Sequence, residues 1–149
     1  MSLLIKNADI VTADTRRTAD IFCEGETITR IEQGLDMAAD EVIDASGKLV
    51  FPGFIDPHVH IHLPFMGTSA KDSWESASRA ALVGGTTTLI EMCCPSRDDA
   101  PLEALRLWNS KAEGVSACDY SFHMGVTRFD EEAGEQLREI VEQEGITSF

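Results

Sequence analysis

The sequence predicts an α/β protein: the first half of a (β/α)8 barrel of the TIM type, preceded by strands of a small β-sandwich domain. Three observations carry that expectation. Short apolar runs separated by polar or glycine-bearing breaks fill the first fifty residues. The pattern changes at Phe51-Pro52-Gly53. From there strand and helix signals alternate at a spacing of about thirty residues, as in βαβ units. The boundary therefore divides residues 1–51, the sandwich strands, from residues 52–149, three βα units and the start of a fourth strand.

In the first part the strand signals are Leu3-Leu4-Ile5, Ile10-Val11, Asp20 to Cys23, Thr27 to Ile31, Val42-Ile43 and Leu49-Val50. Hairpins or tight turns are expected at Lys6-Asn7, Glu24-Gly25-Glu26 and Ser46-Gly47-Lys48. In the second part the expected strands are Phe54 to Asp56, Thr86 to Met92, Tyr120 to Val126, and Ile146 onward. Ser73 to Val83 has apolar and small residues at helical spacing and ends at Gly84-Gly85, where glycine allows a left-handed exit. Pro101 opens the next helix, with Leu102, Leu105 and Trp108 as its apolar stripe and Gly114 as its stop. Asp130 caps the third, whose inner face is Leu137, Ile140 and Val141 and whose end is Gly145. Three βα units make about half of a barrel that typically needs about 250 residues, so the chain is expected to be part of a longer protein and unstable as an open half-barrel.

With 26 acidic against 12 basic residues, the formal charge of -14 repels phosphate backbones and anionic lipid, which argues against nucleic-acid and membrane partners. The N-terminus has no long apolar region and no stretch reaches the roughly 18 apolar residues of a membrane span, so a cytoplasmic protein is expected. Cys23, Cys93, Cys94 and Cys118 form no CxxC pair and are expected to be structural thiols.

The chemistry concentrates in Gly53-Phe54-Ile55-Asp56-Pro57-His58-Val59-His60, an apolar strand ending in two histidines one residue apart. Period two puts both imidazoles on one face, with Cα atoms about 6.6 Å apart, so both rings can reach one cation at Zn–N distances of about 2.0 to 2.1 Å. An arbitrary HxH is as readily a pair of surface histidines. Here it stands at the C-terminal end of the first barrel strand, where barrel enzymes place their active sites. His58 and His60 are thus the candidate metal ligands. Asp56 would face the same side and hold a ligand or solvent in place. His62, in register with His60, can approach the site but is not expected as a ligand, since the HxH pair already supplies two; Glu91 is expected beside the ligands, and His123 either packed or beside them rather than on the metal. Leu63, Phe65 and Met66 form an apolar loop next to the pair, either substrate-binding or simply packed.

Pro52 to His60, followed by Ala80-Ala81-Leu82-Val83-Gly84-Gly85-Thr86-Thr87-Thr88, resembles the amidohydrolase superfamily, and in particular its cyclic amidohydrolases. Leu63-Pro64-Phe65-Met66-Gly67-Thr68 and Cys118-Asp119-Tyr120-Ser121-Phe122-His123 are similar to dihydropyrimidinases and D-hydantoinases. Dihydroorotases carry an arginine just after the HxH pair, and this sequence has none there. The resemblance implies a hydrolase that opens dihydropyrimidines or 5-substituted hydantoins to N-carbamoyl amino acids. It implies two divalent ions, zinc, bridged by a carboxylated lysine directly after Phe149, with the proton-shuttle aspartate also outside these residues. It also implies a homotetramer and a substrate loop at Leu63, Phe65 and Met66. An allantoinase-like or other cyclic amidase, and a non-catalytic dihydropyrimidinase-like scaffold, stay open at this stage.

Overall fold

A computed structural model of the chain describes residues 1–149, the side chain of Phe65 excepted. The architecture is mixed α/β and divides into two units, Met1–Pro52 and Gly53–Phe149, each with its own core.

The first unit is one five-stranded sheet of β1 (Ser2–Val11), β2 (Arg16–Glu24), β3 (Thr27–Glu32), β4 (Glu41–Asp44) and β5 (Leu49–Val50). Strand order is β3-β2-β1-β4, with β5 also on β1. The two hairpins are antiparallel, whereas β4 and β5 run parallel to β1. Two expected turns take another form. Lys6-Asn7 is not a turn: β1 runs straight through it with a bulge, where Asn7 adopts φ 59° and the pairing with β2 shifts between Ile5 and Ala8. Ser46-Gly47-Lys48 joins two segments that pair with the same strand in the same direction, so it is a jog and not a hairpin. β2 also begins earlier than its apolar run, because Arg16 is held by a 2.7 Å ion pair to Asp9 across the ladder. Residues 1–52 form this single sheet, with Ala8, Ile10, Ala19, Ile21 and Ala45 in one small core and Leu4, Phe22 and Leu35 in another.

The second unit has a parallel sheet in the order β10-β9-β6, made by β6 (Phe54–Val59), β9 (Thr86–Cys93) and β10 (Asp119–Met124). Between β6 and β9 lie the small hairpin β7 (Pro64–Phe65) and β8 (Thr68–Ser69) and the helix α1 (Trp74–Val83). Helix α2 (Pro101–Ala112) connects β9 to β10, and α3 (Glu131–Gln143) follows β10. Ser73 caps α1 in a reciprocal box with Ser76, Pro101 opens α2, and the Asp130 side chain accepts from Ala133 N–H at the start of α3. One face of the sheet meets the helices through Leu89, Cys93, Phe122 and Met124, packed with Trp74, Leu105, Trp108 and Ile140.

Two strand ends differ from expectation. β10 ends at Met124, two residues before the expected Val126, although Gly125 N–H still reaches Cys93 O at 2.8 Å, an approach so close that a Cβ on Gly125 would lie 2.9 Å from that oxygen. Residues 146–149 make no strand; one backbone bond, Met124 N–H to Ser148 O at 3.0 Å, touches the sheet, and one backbone bond is not a ladder.

Candidate metal centre

The C-terminal end of β6 carries both candidate histidines. Pro57 brings no N–H to the ladder, and the pairing of β6 with β9 shifts between Asp56, opposite Leu89, and Val59, opposite Glu91. His58 therefore lies in an irregular stretch. Its N–H donates to Asp56 Oδ1 at 3.2 Å, so the Asp56 carboxylate meets the His58 backbone and not its ring. The two rings are exposed, stand edge to face at 83°, and bring their Nε2 atoms to 3.1 Å.

That separation suits a cation. Two ring nitrogens this close have repelling lone pairs unless a proton or an ion lies between them. Nitrogens about 2.05 Å from one tetrahedral ion stand about 3.3 Å apart, close to the spacing of His58 and His60. Imidazole nitrogens are the donors zinc takes at neutral pH. Among the described residues no group of three or more His, Cys, Asp or Glu side chains gathers around a common point, so this chain offers the pair alone.

The other candidates fall around it. Past Val59 the strand ends and His62 adopts φ 57°, so strand alternation no longer aligns it with His60. Leu63 is half-buried and its carbonyl accepts from Ala70 N–H at 2.9 Å, closing the base of the β7–β8 hairpin. Met66 and Gly67, with φ 50° and 79°, form its two-residue turn, and Met66 is 88% exposed at the tip. The Phe65 side chain lies outside the described residues.

Glu91 shares a face of β9 with Leu89 and Cys93, the face that packs on the helices, and is wholly buried. Burial pushes its carboxyl up to about 7, against the smaller opposing effects of the Ile61 and Met92 N–H groups. Its Oε2 accepts from Ile61 N–H at 2.5 Å. His123 contacts Pro57 O through Nε2 at 2.7 Å and Ser148 Oγ through Nδ1 at 2.5 Å. Sequence patterns mark both side chains as neighbours of the site but not these backbone partners, which lie 30 and 66 residues away. The cysteines are free, and burial raises the Cys93 thiol to about 12, so it stays protonated and is no ligand as it stands. A cavity of about 310 Å³ between α2, β10 and α3, lined by Leu102, Leu105, Tyr120 and Ile146, is not bordered by either histidine.

Residues 41–112 match the model of the Amidohydrolase family. Over 149 residues the chain is 44% identical to a D-hydantoinase of Geobacillus stearothermophilus, covering 100% of this chain and 32% of that protein. The chain belongs to the amidohydrolase family. Among solved structures, this amidohydrolase chain is similar to a D-hydantoinase (dihydropyrimidinase) from Thermus sp., at 67% identity and a TM-score of 0.88, over 93% of this chain and 31% of that one. A dihydropyrimidinase from Brevibacillus agri gives 37% identity and a TM-score of 0.95, over 99% and 32%. The amidohydrolase chain thus spans about a third of the length of the relatives it matches.

Proposed function

We propose that the full protein is a metal-dependent hydrolase that opens the cyclic amide bond of dihydropyrimidines or 5-substituted hydantoins, giving N-carbamoyl amino acids. The carrying observation is the convergence of His58 Nε2 and His60 Nε2, 3.1 Å apart at the C-terminal end of β6. The similarity to D-hydantoinases and dihydropyrimidinases along the whole chain supports the substrate class. In this proposal β6, β9 and β10 begin a (β/α)8 barrel.

His58 and His60 hold a divalent ion, zinc, through neutral Nε2 atoms, so each ring carries its hydrogen on Nδ1. By the resemblance, a second ion and a carboxylated lysine would complete the centre, and an aspartate outside these residues would serve as the proton carrier. Bound divalent ions supply an activated water near neutral pH and polarise the amide carbonyl. Leu63, Phe65 and Met66 border the substrate and favour an uncharged ring with an apolar substituent, and Asp56 braces the His58 backbone. A homotetramer is proposed from the resemblance.

The test is ring opening of dihydrouracil and of a 5-substituted hydantoin by the full-length protein, with zinc and then with chelator. Chelator-sensitive turnover is expected. His58→Ala should remove bound metal and lower activity by more than about 100-fold, beyond the 10–100-fold usual for residues that only orient ligands. Unchanged zinc content in that variant would remove His58 from the ligand set.

A further inference from the structure

A strand is held by its ladder, and the ladder fails where His58 and His60 need it. Pro57 has no N–H, and the β6–β9 register shifts between Asp56 and Val59. Such a stretch drifts unless other groups hold it, and a metal pair tolerates little drift. Two side chains, one from each of the other two strands of the sheet, take hold of its ends. On β10, His123 Nε2 lies 2.7 Å from Pro57 O, directly before His58. On β9, Glu91 Oε2 accepts from Ile61 N–H at 2.5 Å, directly after His60.

The proton inventory is consistent. A carbonyl only accepts, so the His123 hydrogen sits on Nε2 and donates to Pro57 O. Nδ1 is then the acceptor, and the Ser148 hydroxyl, 2.5 Å away, donates to it. A neutral imidazole is thus satisfied at both nitrogens and ties Pro57 to the segment at Ser148. Glu91 is less comfortable. It is wholly buried and its Oε1 has no hydrogen-bond partner, a cost of the kind that stability alone does not select.

We propose that Glu91 and His123 are positioning residues that fix the Pro57–Ile61 backbone and so aim His58 and His60 at one metal ion. The inference rests on the metal-binding function above. Neither side chain reaches the ion; each acts on a peptide group flanking a ligand.

The experiment measures zinc affinity of the full-length protein by chelator competition, and the visible absorption of its cobalt-substituted form, for Glu91→Leu, Glu91→Gln, His123→Ala and His123→Gln. Glutamine at 91 retains an acceptor for Ile61 N–H, and glutamine at 123 retains a donor for Pro57 O. The leucine and alanine variants should bind zinc about 10–100-fold more weakly and shift the cobalt bands, while both glutamine variants stay within a few-fold of wild type. Because Glu91→Leu alters a core, His123→Ala on its half-buried ring carries the test independently. Wild-type affinity and cobalt spectrum in both disruptive variants would overturn the proposal. If His58→Ala abolishes binding while these variants do not, only this proposal fails; a wild-type protein that binds no metal removes the metal function and this proposal together.

Discussion

Each unit of the chain buries one carboxyl group among its described residues, Asp20 in the first and Glu91 in the second, and the N–H donors that meet each of them, set against the same cost of burial, move them apart. Asp20 is met on both oxygens: Asn7 N–H donates to Oδ1 at 2.7 Å and Leu35 N–H to Oδ2 at 2.9 Å, with Lys6 Nζ at 4.0 Å. The Asn7 N–H, more than any other group, holds its carboxyl below the ordinary carboxylate value. Glu91 receives Ile61 N–H on Oε2 while Oε1 is left without a partner, and burial prevails, raising it to about 7. The bulge at Asn7 and the turn at Gly34 present their N–H groups to Asp20, so the first unit encloses a stable charge. The second unit keeps a poorly satisfied acid beside the strand that ends in the histidine pair.

The largest consequence of that contrast is in stability. Asp20→Ala leaves two backbone donors unpaired, each worth about 1–3 kcal/mol, so a loss of about 3 kcal/mol is expected in urea denaturation of the full-length protein. Asp20→Asn, which keeps one acceptor, should lose about half of that. At pH 4.5 or below, where Glu91 keeps its proton, Glu91→Gln should stay within about 1 kcal/mol of wild type, since it keeps the Ile61 bond. Equal costs at the two positions would mean that partner count does not distinguish them.

The same contrast sets two opposite pH windows. Asp20 is more acidic when folded, so its contribution is complete above the unfolded value near 3.8 and fades as pH falls through the lower folded value. Glu91 is less acidic when folded, about 7 against 4.5 unfolded, so the folded metal-free protein keeps a proton that the unfolded chain releases. Stability should then fall as pH rises from about 4.5 to 7 and level off above, by on the order of 3 kcal/mol for a shift of that size. Glu91→Gln should flatten this window and leave the acid limb in place, whereas Asp20→Asn should do the reverse. A Glu91→Gln profile identical to wild type between pH 4.5 and 7 would show that Glu91 is ionised in the folded protein.

How much of this was visible in the sequence depends on the range of the interaction. The helices of the second unit were legible because their signals are local: Ser73 and Asp130 as caps, Pro101 as an opener, Gly145 as a left-handed stop with φ 70°. The HxH pair was legible for the same reason, as two positions on one strand end. The bulge at Asn7 was not, because a polar pair between apolar runs looks like a turn; what keeps the strand continuous is Asp20, thirteen residues on. Glu91 likewise looks like an alternating strand residue, since its partner Ile61 is thirty residues back. Ile146 reads as a strand from its apolar run, but its side chain is buried with Ile140 and its N–H turns to Ile140 O at 3.3 Å.

The smallest effect sharpens the comparison most. Lys6 is the obvious counter-charge for Asp20, and an ion pair would be the simplest account of a depressed carboxyl. The geometry favours the backbone instead: Nζ is 4.0 Å from Oδ2 but donates to Leu35 O at 3.0 Å, and the lysine side chain is 37% exposed. A partly solvated charge at that distance contributes little, and its attraction acts on Asp20 after the Asn7 and Leu35 N–H groups. Lys6→Met keeps the apolar stem and should cost less than about 1 kcal/mol, with the acid limb of the stability profile intact. If Lys6→Met were as damaging as Asp20→Ala and moved the acid limb with it, the charge would be held by its ion pair, and the two buried acids would differ by one cation and not by the donors the backbone brings to them.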